Sequence, residues 1–110
     1  PSVARYKQGM IVQVPIHLHK NLGVFSSPQK IHDTLSQHYH GSKFITVNPL
    51  DIARGSVEIS PEIHNHSNML EINVFSNKAE TQCLLTATFD NLGKGASRAA
   101  IQSISLMLDL

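Results

Sequence analysis

Apolar and polar residues alternate along three segments of the chain, and this period of two predicts β-strands. The first segment, residues 9–19, has apolar side chains at alternate positions: Met10, Val12, Val14, Ile16 and Leu18. Pro15 lies on the opposite face and has no amide hydrogen to donate, so its position is expected at an edge, at a bulge or under a cover. Segments 69–75 and 81–89 alternate in the same way, and the polar residues between them predict a hairpin.

Two further segments show the spacing of helices. Residues 26–29, Ser-Ser-Pro-Gln, are typical of a helix start, because a serine can cap free amides and a proline is tolerated in the first turn. Ile31, Leu35 and Tyr39 follow at intervals of four and form one apolar stripe, which ends at Gly41. A second helix is predicted over residues 94–108, with Ala100, Ile104, Met107 and Leu108 at helical spacing.

The order of these elements predicts the fold class. A short strand is expected at 43–47, and residues 48–68 are expected to be mostly loop. The order strand, helix, strand, strand, strand, helix then predicts an α+β fold of two layers, in which helices pack on one face of a mostly antiparallel or mixed sheet.

Composition narrows the range of functions. The 110 residues suffice for one domain and are too few for a nucleotide-binding domain together with a substrate domain. Nine basic and eight acidic residues nearly cancel, and the six aromatic side chains include no Trp, so no base-stacking platform is indicated. No apolar run is long enough for a membrane span. We therefore expect neither nucleic acid nor a membrane as a partner.

The single cysteine, Cys83, cannot form a disulfide within the chain. Together with the lack of a signal-peptide pattern, this favours a reducing compartment and a cytoplasmic location. Cys83 lies in the middle of a predicted strand beside Leu84 and Leu85. Burial there would raise the pKa of the thiol, so we interpret Cys83 as a packed core residue and not as a nucleophile.

Histidines raise the possibility of a metal site. Three pairs are separated by two positions: His17 and His19, His38 and His40, His64 and His66. Residues two apart on a strand share a face, so His17 and His19 could bind a metal ion jointly. No cysteine pair or glutamate-bearing helical motif accompanies them, which favours solvated or hydrogen-bonded histidines. A stand-alone metal-binding module remains an alternative, as does an interaction domain that pairs through its strand edges.

The glycines of Gly93-Lys94-Gly95 stand where a strand gives way to a helix, and such a junction can bring backbone amides to an anion. The spacing matches neither G-x-x-x-x-G-K-[ST] nor G-x-G-x-x-G, and the segment follows the last predicted strand without opening a βαβ unit. A packing turn is therefore favoured over a phosphate cradle. Asp90-Asn91, just before it, is interpreted as a helix cap.

The same region carries a family resemblance. Residues 89–97 (FDNLGKGAS), 99–102 (AAIQ) and 106–108 (LML) resemble the C-terminal signature of N-acetyl-gamma-glutamyl-phosphate reductases, the NADPH-dependent enzymes of arginine biosynthesis. Residues 9–18 (GMIVQVPIHL) resemble a strand of the shorter bacterial subtype, and a fainter likeness is found at 61–62, 67–68 and 74–75. The chain starts at Pro1 and not at a methionine, and we expect it to be a segment of a longer polypeptide.

The resemblance implies that residues 1–110 are a C-terminal substrate and dimerisation domain, with a fold like the C-terminal domain of glyceraldehyde-3-phosphate dehydrogenase. In the family, the Rossmann-type NADP domain, the catalytic cysteine and the catalytic histidine all precede this region. Thiolate attack on the acyl phosphate, loss of phosphate and hydride transfer to give the semialdehyde are therefore not expected from these residues alone. No catalytic residue and no metal ligand is assigned.

The resemblance also implies partners and a cofactor contact. The last helix would pack on the chain's own N-terminal Rossmann domain, and the sheet would associate with further copies in a homo-oligomer. Asn91 would hold the nicotinamide amide of NADP, and Gly95 would let the backbone come near the cofactor. Arg98, His66 and Ser76 stand where relatives usually carry glycine; Arg98 would either crowd the cofactor or bind its phosphate.

Overall fold

The computed structural model describes residues 4–52 and 58–110. The strands are β1 (Met10–His17), β2 (Ile45–Val47), β3 (Asp51–Ile52), β4 (Leu70–Ser76) and β5 (Gln82–Phe89). The α-helices are α1 (Pro28–His38) and α2 (Arg98–Met107). A short 3-10 turn, Gly23–Ser26, precedes α1, and a wide helical turn, Gly93–Ser97, precedes α2.

The strands form one mixed sheet in the order β1-β5-β4-β2, with β3 pairing with β4 further along. Strand β5 is antiparallel to both β1 and β4, whereas β2 and β3 run parallel to β4. The predicted α+β class with a mixed sheet is confirmed. The two-residue strand β3 lies in the segment that was predicted to be mostly loop.

Within the described part of the chain, strand β1 is at one edge of the sheet and pairs with β5 alone, where Pro15 lies opposite Leu84. An edge is one of the three positions that the missing amide hydrogen of Pro15 allowed. The alternation therefore predicted the existence of this strand, whose observed bounds, Met10–His17, are shorter than the predicted 9–19.

Helix α1 packs on one face of the sheet and forms the apolar core with it. The helix begins where predicted: Pro28 is its first residue, and the hydroxyl of Ser27 accepts a hydrogen bond from the amide of Lys30 at 3.2 Å. The core centres on Ile31, Val74 and Cys83, and each of these residues has at most 4% of its surface exposed. Partly buried side chains pack against this centre: Ile16, Leu18, Leu35, Leu50 and Leu85.

Helix α2 is present but shorter than the predicted 94–108, because residues 93–97 form the wide turn, and its apolar side chains stay exposed. Ile101 is 61%, Ile104 54% and Met107 83% exposed. The start of the helix is held by Gln102, whose Oε1 accepts hydrogen bonds from Asn68 Nδ2 at 2.8 Å and from Lys94 Nζ at 2.6 Å. The chain thus anchors α2 through polar contacts and leaves its apolar stripe uncovered.

The two helices allow a matched test of where the core lies. Ile31→Ala removes a buried side chain, and we expect it to lower the free energy of unfolding by about 2–5 kcal/mol. Ile101→Ala removes the same atoms from an exposed position, and its effect should stay within about 0.5 kcal/mol. Urea denaturation of the 110-residue chain, followed by circular dichroism, measures both. Equal losses for the two variants would contradict this assignment of the core.

Candidate functional site

The candidate site lies where β5 ends. Met10 and Leu70 both pair with Phe89, and because β1 and β4 are each antiparallel to β5, both of them start beside its end. Residues just before β1 and just before β4 are therefore brought against Asp90 and Asn91. The register of the sheet alone gathers three segments that are distant in sequence: residues 8–9, 61–68 and 90–95.

Asp90 is at the centre of this cluster and is 1% exposed. Its Oδ1 accepts hydrogen bonds from the amides of Leu92 at 3.0 Å and Gly93 at 2.9 Å. Its Oδ2 accepts from Gln8 Nε2 at 2.7 Å and from the amide of His66 at 2.9 Å. Four donors therefore occupy the acceptor positions of one carboxylate. Asp90 binds the first amides of the turn that leads into Gly93–Ser97, but the residues at the N-cap positions of this turn and of α2, Leu92 and Ser97, make no side-chain cap hydrogen bond, and Asn91 binds Gly9 instead.

The protonation state of Asp90 follows from the same contacts. Burial acts to raise its pKa, but the hydrogen bonds from Gln8, Gly93, His66 and Leu92 outweigh burial and place the pKa below the ordinary 3.8. A carboxylate with a lowered pKa contributes stability that is fully present above its unfolded pKa. That contribution is lost as the pH falls through the lower, folded value.

The side-chain oxygen of Asn91 already accepts a hydrogen bond within the domain. Its Oδ1 accepts a hydrogen bond from the amide of Gly9 at 2.9 Å. Among residues 4–52 and 58–110, no acceptor is found for its Nδ2. Asn91 borders a small cavity of about 140 Å³ that is otherwise lined by residues of the segment 4–10. The amide thus offers the hydrogens of Nδ2, and one remaining lone pair of Oδ1, to a further molecule.

Gly9 is held tightly on its other side. Its φ of +109° favours glycine, and a Cβ there would lie 2.3 Å from the carbonyl oxygen of Pro61. The side chain of Asn65 adds a hydrogen bond from Nδ2 to the carbonyl oxygen of Gln8 at 3.1 Å. Residues 8–9 are therefore packed between the 61–66 segment and the end of β5.

The turn at Gly93–Ser97 uses its own amides internally. The amides of Leu92 and Gly93 bind the Asp90 carboxylate, and the amide of Gly95 donates to the carbonyl oxygen of Asp90 at 2.9 Å. A Cβ at Gly93 would come within 2.7 Å of Asp90 Oδ2, and one at Gly95 within 3.1 Å of the Phe89 ring. These contacts agree with the packing turn and leave these three amides unavailable to a phosphate.

The positions at which glycine was expected differ in what the backbone demands. His66 has φ +62°, in the left-handed region that favours glycine. Arg98 has φ −72° at the start of α2, and Ser76 is the last residue of β4, so neither needs glycine. The aliphatic part of Arg98 folds back over Gly93, where its Cδ lies 3.2 Å from the position of a Cβ.

The histidines are used in different ways. Strand β1 ends at His17, so His19 lies beyond it and the argument from a shared strand face does not extend to His19. Nε2 of His32 is 3.0 Å from the carbonyl oxygen of Asn48, and Nε2 of His64 is 3.4 Å from Glu71 Oε2. Within residues 4–52 and 58–110, no three metal-binding side chains lie close enough to hold an ion.

Cys83 is 4% exposed and belongs to the core. Burial raises the pKa of its thiol; a hydrogen bond with Ser76 acts in the opposite direction, and the charge of Glu80 adds to the increase. The interpretation of Cys83 as a packed thiol is confirmed. In the described part of the chain, no helix is both long enough and apolar enough to cross a membrane.

Comparison with known proteins identifies the family. The sequence model described as "semialdehyde dehydrogenase, dimerisation domain" matches residues 1–91. The chain belongs to this family. Its curated relatives include N-acetyl-gamma-glutamyl-phosphate reductase of Burkholderia cenocepacia, which is 40% identical over 98% of this chain and 34% of the relative. The corresponding "reductase 2" of Pseudomonas putida is also 40% identical, over the same shares.

A third relative, "N-acetyl-gamma-glutamyl-phosphate reductase 2" of a Nostoc species, is 38% identical over 100% of this chain and 35% of the relative. This semialdehyde dehydrogenase dimerisation domain thus spans about a third of the length of the curated relatives it matches. The family model ends at Asn91, so it covers the sheet, Asp90 and Asn91 but not the amides of Leu92 and Gly93 that bind Asp90.

Of the residues singled out in the sequence, the structure places Asn91 in the cluster and Gly95 on the adjoining turn. Gln8 and Gly9 were not recognised as parts of it. The signal for Gly9 was its position as the first residue of the predicted strand 9–19, where a preceding turn often needs glycine. Gln8 had no such signal, because its contact with Asp90 spans 82 positions.

The environment of Cys83 gives a simple chemical prediction. We expect the native 110-residue chain to react with a thiol reagent such as dithiobisnitrobenzoate at pH 8 at least about a hundredfold more slowly than the chain in urea, because the reagent needs an accessible thiolate. The absorbance of the released chromophore measures this rate. Comparable rates in the native and unfolded chain would show that the thiol is not packed.

Proposed function

We propose that residues 1–110 form the C-terminal domain of an NADPH-dependent N-acetyl-gamma-glutamyl-phosphate reductase, an enzyme of arginine biosynthesis in the cytoplasm. The observation that carries the proposal is the match of nearly the whole chain, at about 40% identity, to relatives with that name. The reaction converts N-acetyl-gamma-glutamyl phosphate to N-acetylglutamate semialdehyde.

The proposed domain does not supply the reacting groups. An acyl-phosphate reductase of this type needs an accessible thiolate, and Cys83 is buried with a raised pKa. As the family resemblance implies, the nucleophile, the acid-base histidine and the dinucleotide-binding domain are assigned to a part of the enzyme that precedes these residues. The role of residues 1–110 is to complete the site and to join the subunits.

For the cofactor, Nδ2 of Asn91, which has no acceptor among residues 4–52 and 58–110, supports a contact with the nicotinamide carboxamide of NADPH. We assign the contact as a donation from Nδ2 to the carboxamide oxygen, since Oδ1 already accepts from the amide of Gly9 whereas Nδ2 has no acceptor among the described residues. Gly95 is exposed and has no side chain, so the backbone there can come close to the cofactor. The cofactor itself supplies the hydride, and these residues orient its nicotinamide end.

Two surfaces support the proposed partners. The exposed apolar residues of α2, including Ile101, Ile104 and Met107, form a stripe of the kind that packs on another domain, and we assign that stripe to the enzyme's own Rossmann domain. The sheet face away from α1, which carries the exposed Gln13 and Pro15 of β1 and the half-buried Leu84 of β5, is assigned to association with a second copy.

The division of labour predicts how activity depends on chain length. We expect the 110-residue chain to show no NADPH oxidation with N-acetyl-gamma-glutamyl phosphate, and the full-length reductase that carries these residues to show it. The decrease of NADPH absorbance at 340 nm measures both. A full-length protein that is folded but inactive on this acyl phosphate would refute the proposed substrate, and turnover by the 110-residue chain would refute the division of labour.

The proposed donation from Nδ2 predicts how two substitutions of Asn91 change KM for NADPH. In the full-length enzyme, Asn91→Asp keeps an oxygen for the amide of Gly9 but loses the donor, so KM for NADPH should rise roughly 3–15-fold, the range of one hydrogen bond. Asn91→Ala should raise it at least as much. If Asn91→Asp left KM for NADPH at the wild-type value while Asn91→Ala raised it, Asn91 would be an acceptor and the proposed polarity would be wrong.

A further inference from the structure

A buried carboxylate to which the family resemblance assigns no role immediately precedes Asn91. We propose that Asp90 is a positioning residue that holds Asn91 in the orientation needed to bind the cofactor. The inference rests on the proposed function, since it concerns the same cofactor contact. Asp90 itself touches neither cofactor nor substrate in this proposal and acts only through its neighbours.

Two consecutive contacts support this role. Gln8 Nε2 donates to Asp90 Oδ2 at 2.7 Å, and the next amide along the chain, that of Gly9, donates to Asn91 Oδ1 at 2.9 Å. Residues 8–9 are thus joined to residues 90–91 at two adjacent points. The first bond sets the position of the segment, and the second sets the rotation of the Asn91 amide.

The two carboxylate oxygens of Asp90 have separate tasks. Oδ1 binds the amides of Leu92 and Gly93, which is what a local cap requires. Oδ2 binds Gln8 and the amide of His66, which lie 82 and 24 positions away along the chain. A residue that served only as a cap would need the first pair alone, so the second pair points to the positioning role.

Close packing prevents the cluster from adjusting when the carboxylate changes. A Cβ at Gly93 would lie 2.7 Å from Asp90 Oδ2, and a Cβ at Gly9 would lie 2.3 Å from the carbonyl oxygen of Pro61. Both backbone segments are therefore already at their closest approach. A change that introduces a donor at Oδ2 must displace the amide of His66 or the side chain of Gln8.

The test is Asp90→Asn in the full-length reductase. The substitution keeps the size of the side chain but replaces one oxygen by an amino group, which cannot accept from His66. We expect KM for NADPH to rise about tenfold, with kcat at saturating NADPH and KM for the acyl phosphate each within about threefold of wild type. An unchanged KM for NADPH in a folded Asp90→Asn enzyme would overturn the proposal.

Non-additivity separates positioning from a general loss of stability. If Asp90 acts through Asn91, adding Asp90→Asn to Asn91→Ala should raise KM for NADPH by less than about twofold beyond the single Asn91→Ala variant. Independent, multiplying effects would overturn the inference. The control is Val74→Ala, a core substitution in the same domain, which should lower Tm and leave KM for NADPH unchanged.

Two further comparisons complete the test. If Asp90→Asn does not fold, Gln8→Leu removes a single donor at similar volume, and KM for NADPH should then rise about threefold; no rise would count against the proposal. If Asn91→Ala leaves KM for NADPH unchanged, the cofactor contact itself fails and this inference fails with it. If only Asp90→Asn is silent, the positioning role alone is lost.

Discussion

The buried carboxylate of Asp90 accepts four hydrogen bonds, and the geometry of the candidate site depends on them. A buried charge is costly unless its hydrogen-bonding capacity is filled. Here it is filled by two amides of the adjoining turn, one distant amide and one side chain. Hydrogen bonds to a charged group contribute about 1.5–3 kcal/mol each, and a donor left unpaired after removal of the carboxylate would add its own cost. The arrangement is therefore both stabilising and intolerant of change.

Different kinds of interaction stabilise the domain at the two ends of β5. Near its start, Cys83 packs with Ile31 and Val74 in a small apolar core, which is non-directional and depends on burial. Past its end, Asp90 and Asn91 form directional contacts that specify distances and rotations. The sheet connects these two regions, because the register that pairs Met10 and Leu70 with Phe89 also delivers the polar partners to Asp90. Packing holds the scaffold together, and hydrogen bonds shape the site.

Much of the fold could be predicted because its signals are local. Alternation identified β1, β4 and β5, and the Ser-Pro start and four-residue spacing identified α1. The two-residue strand β3 was missed because it pairs through backbone bonds beside β4 and has too few residues to show a pattern. The position of Asp90 before a helical segment indicated a local bond to main-chain amides, which it makes with the turn at Leu92 and Gly93, but its contacts with Gln8 and His66 depend on strand register, which alternation does not define. The hydrogen bond from the amide of Gly9 to Asn91 Oδ1 also depends on strand register and could not be predicted from alternation.

The left-handed backbone at His66 shows how the site can accept variation in sequence. A non-glycine residue in this conformation carries a strain of about 1–2 kcal/mol. Its contribution to the cluster is a main-chain amide, and its imidazole is exposed. Asp90 consequently binds the main chain at position 66, and this hydrogen bond does not depend on which side chain is present. Substitutions at position 66 change the conformational energy of one turn but keep the main-chain amide that binds Asp90. Sequence variation at this position is therefore compatible with a preserved site.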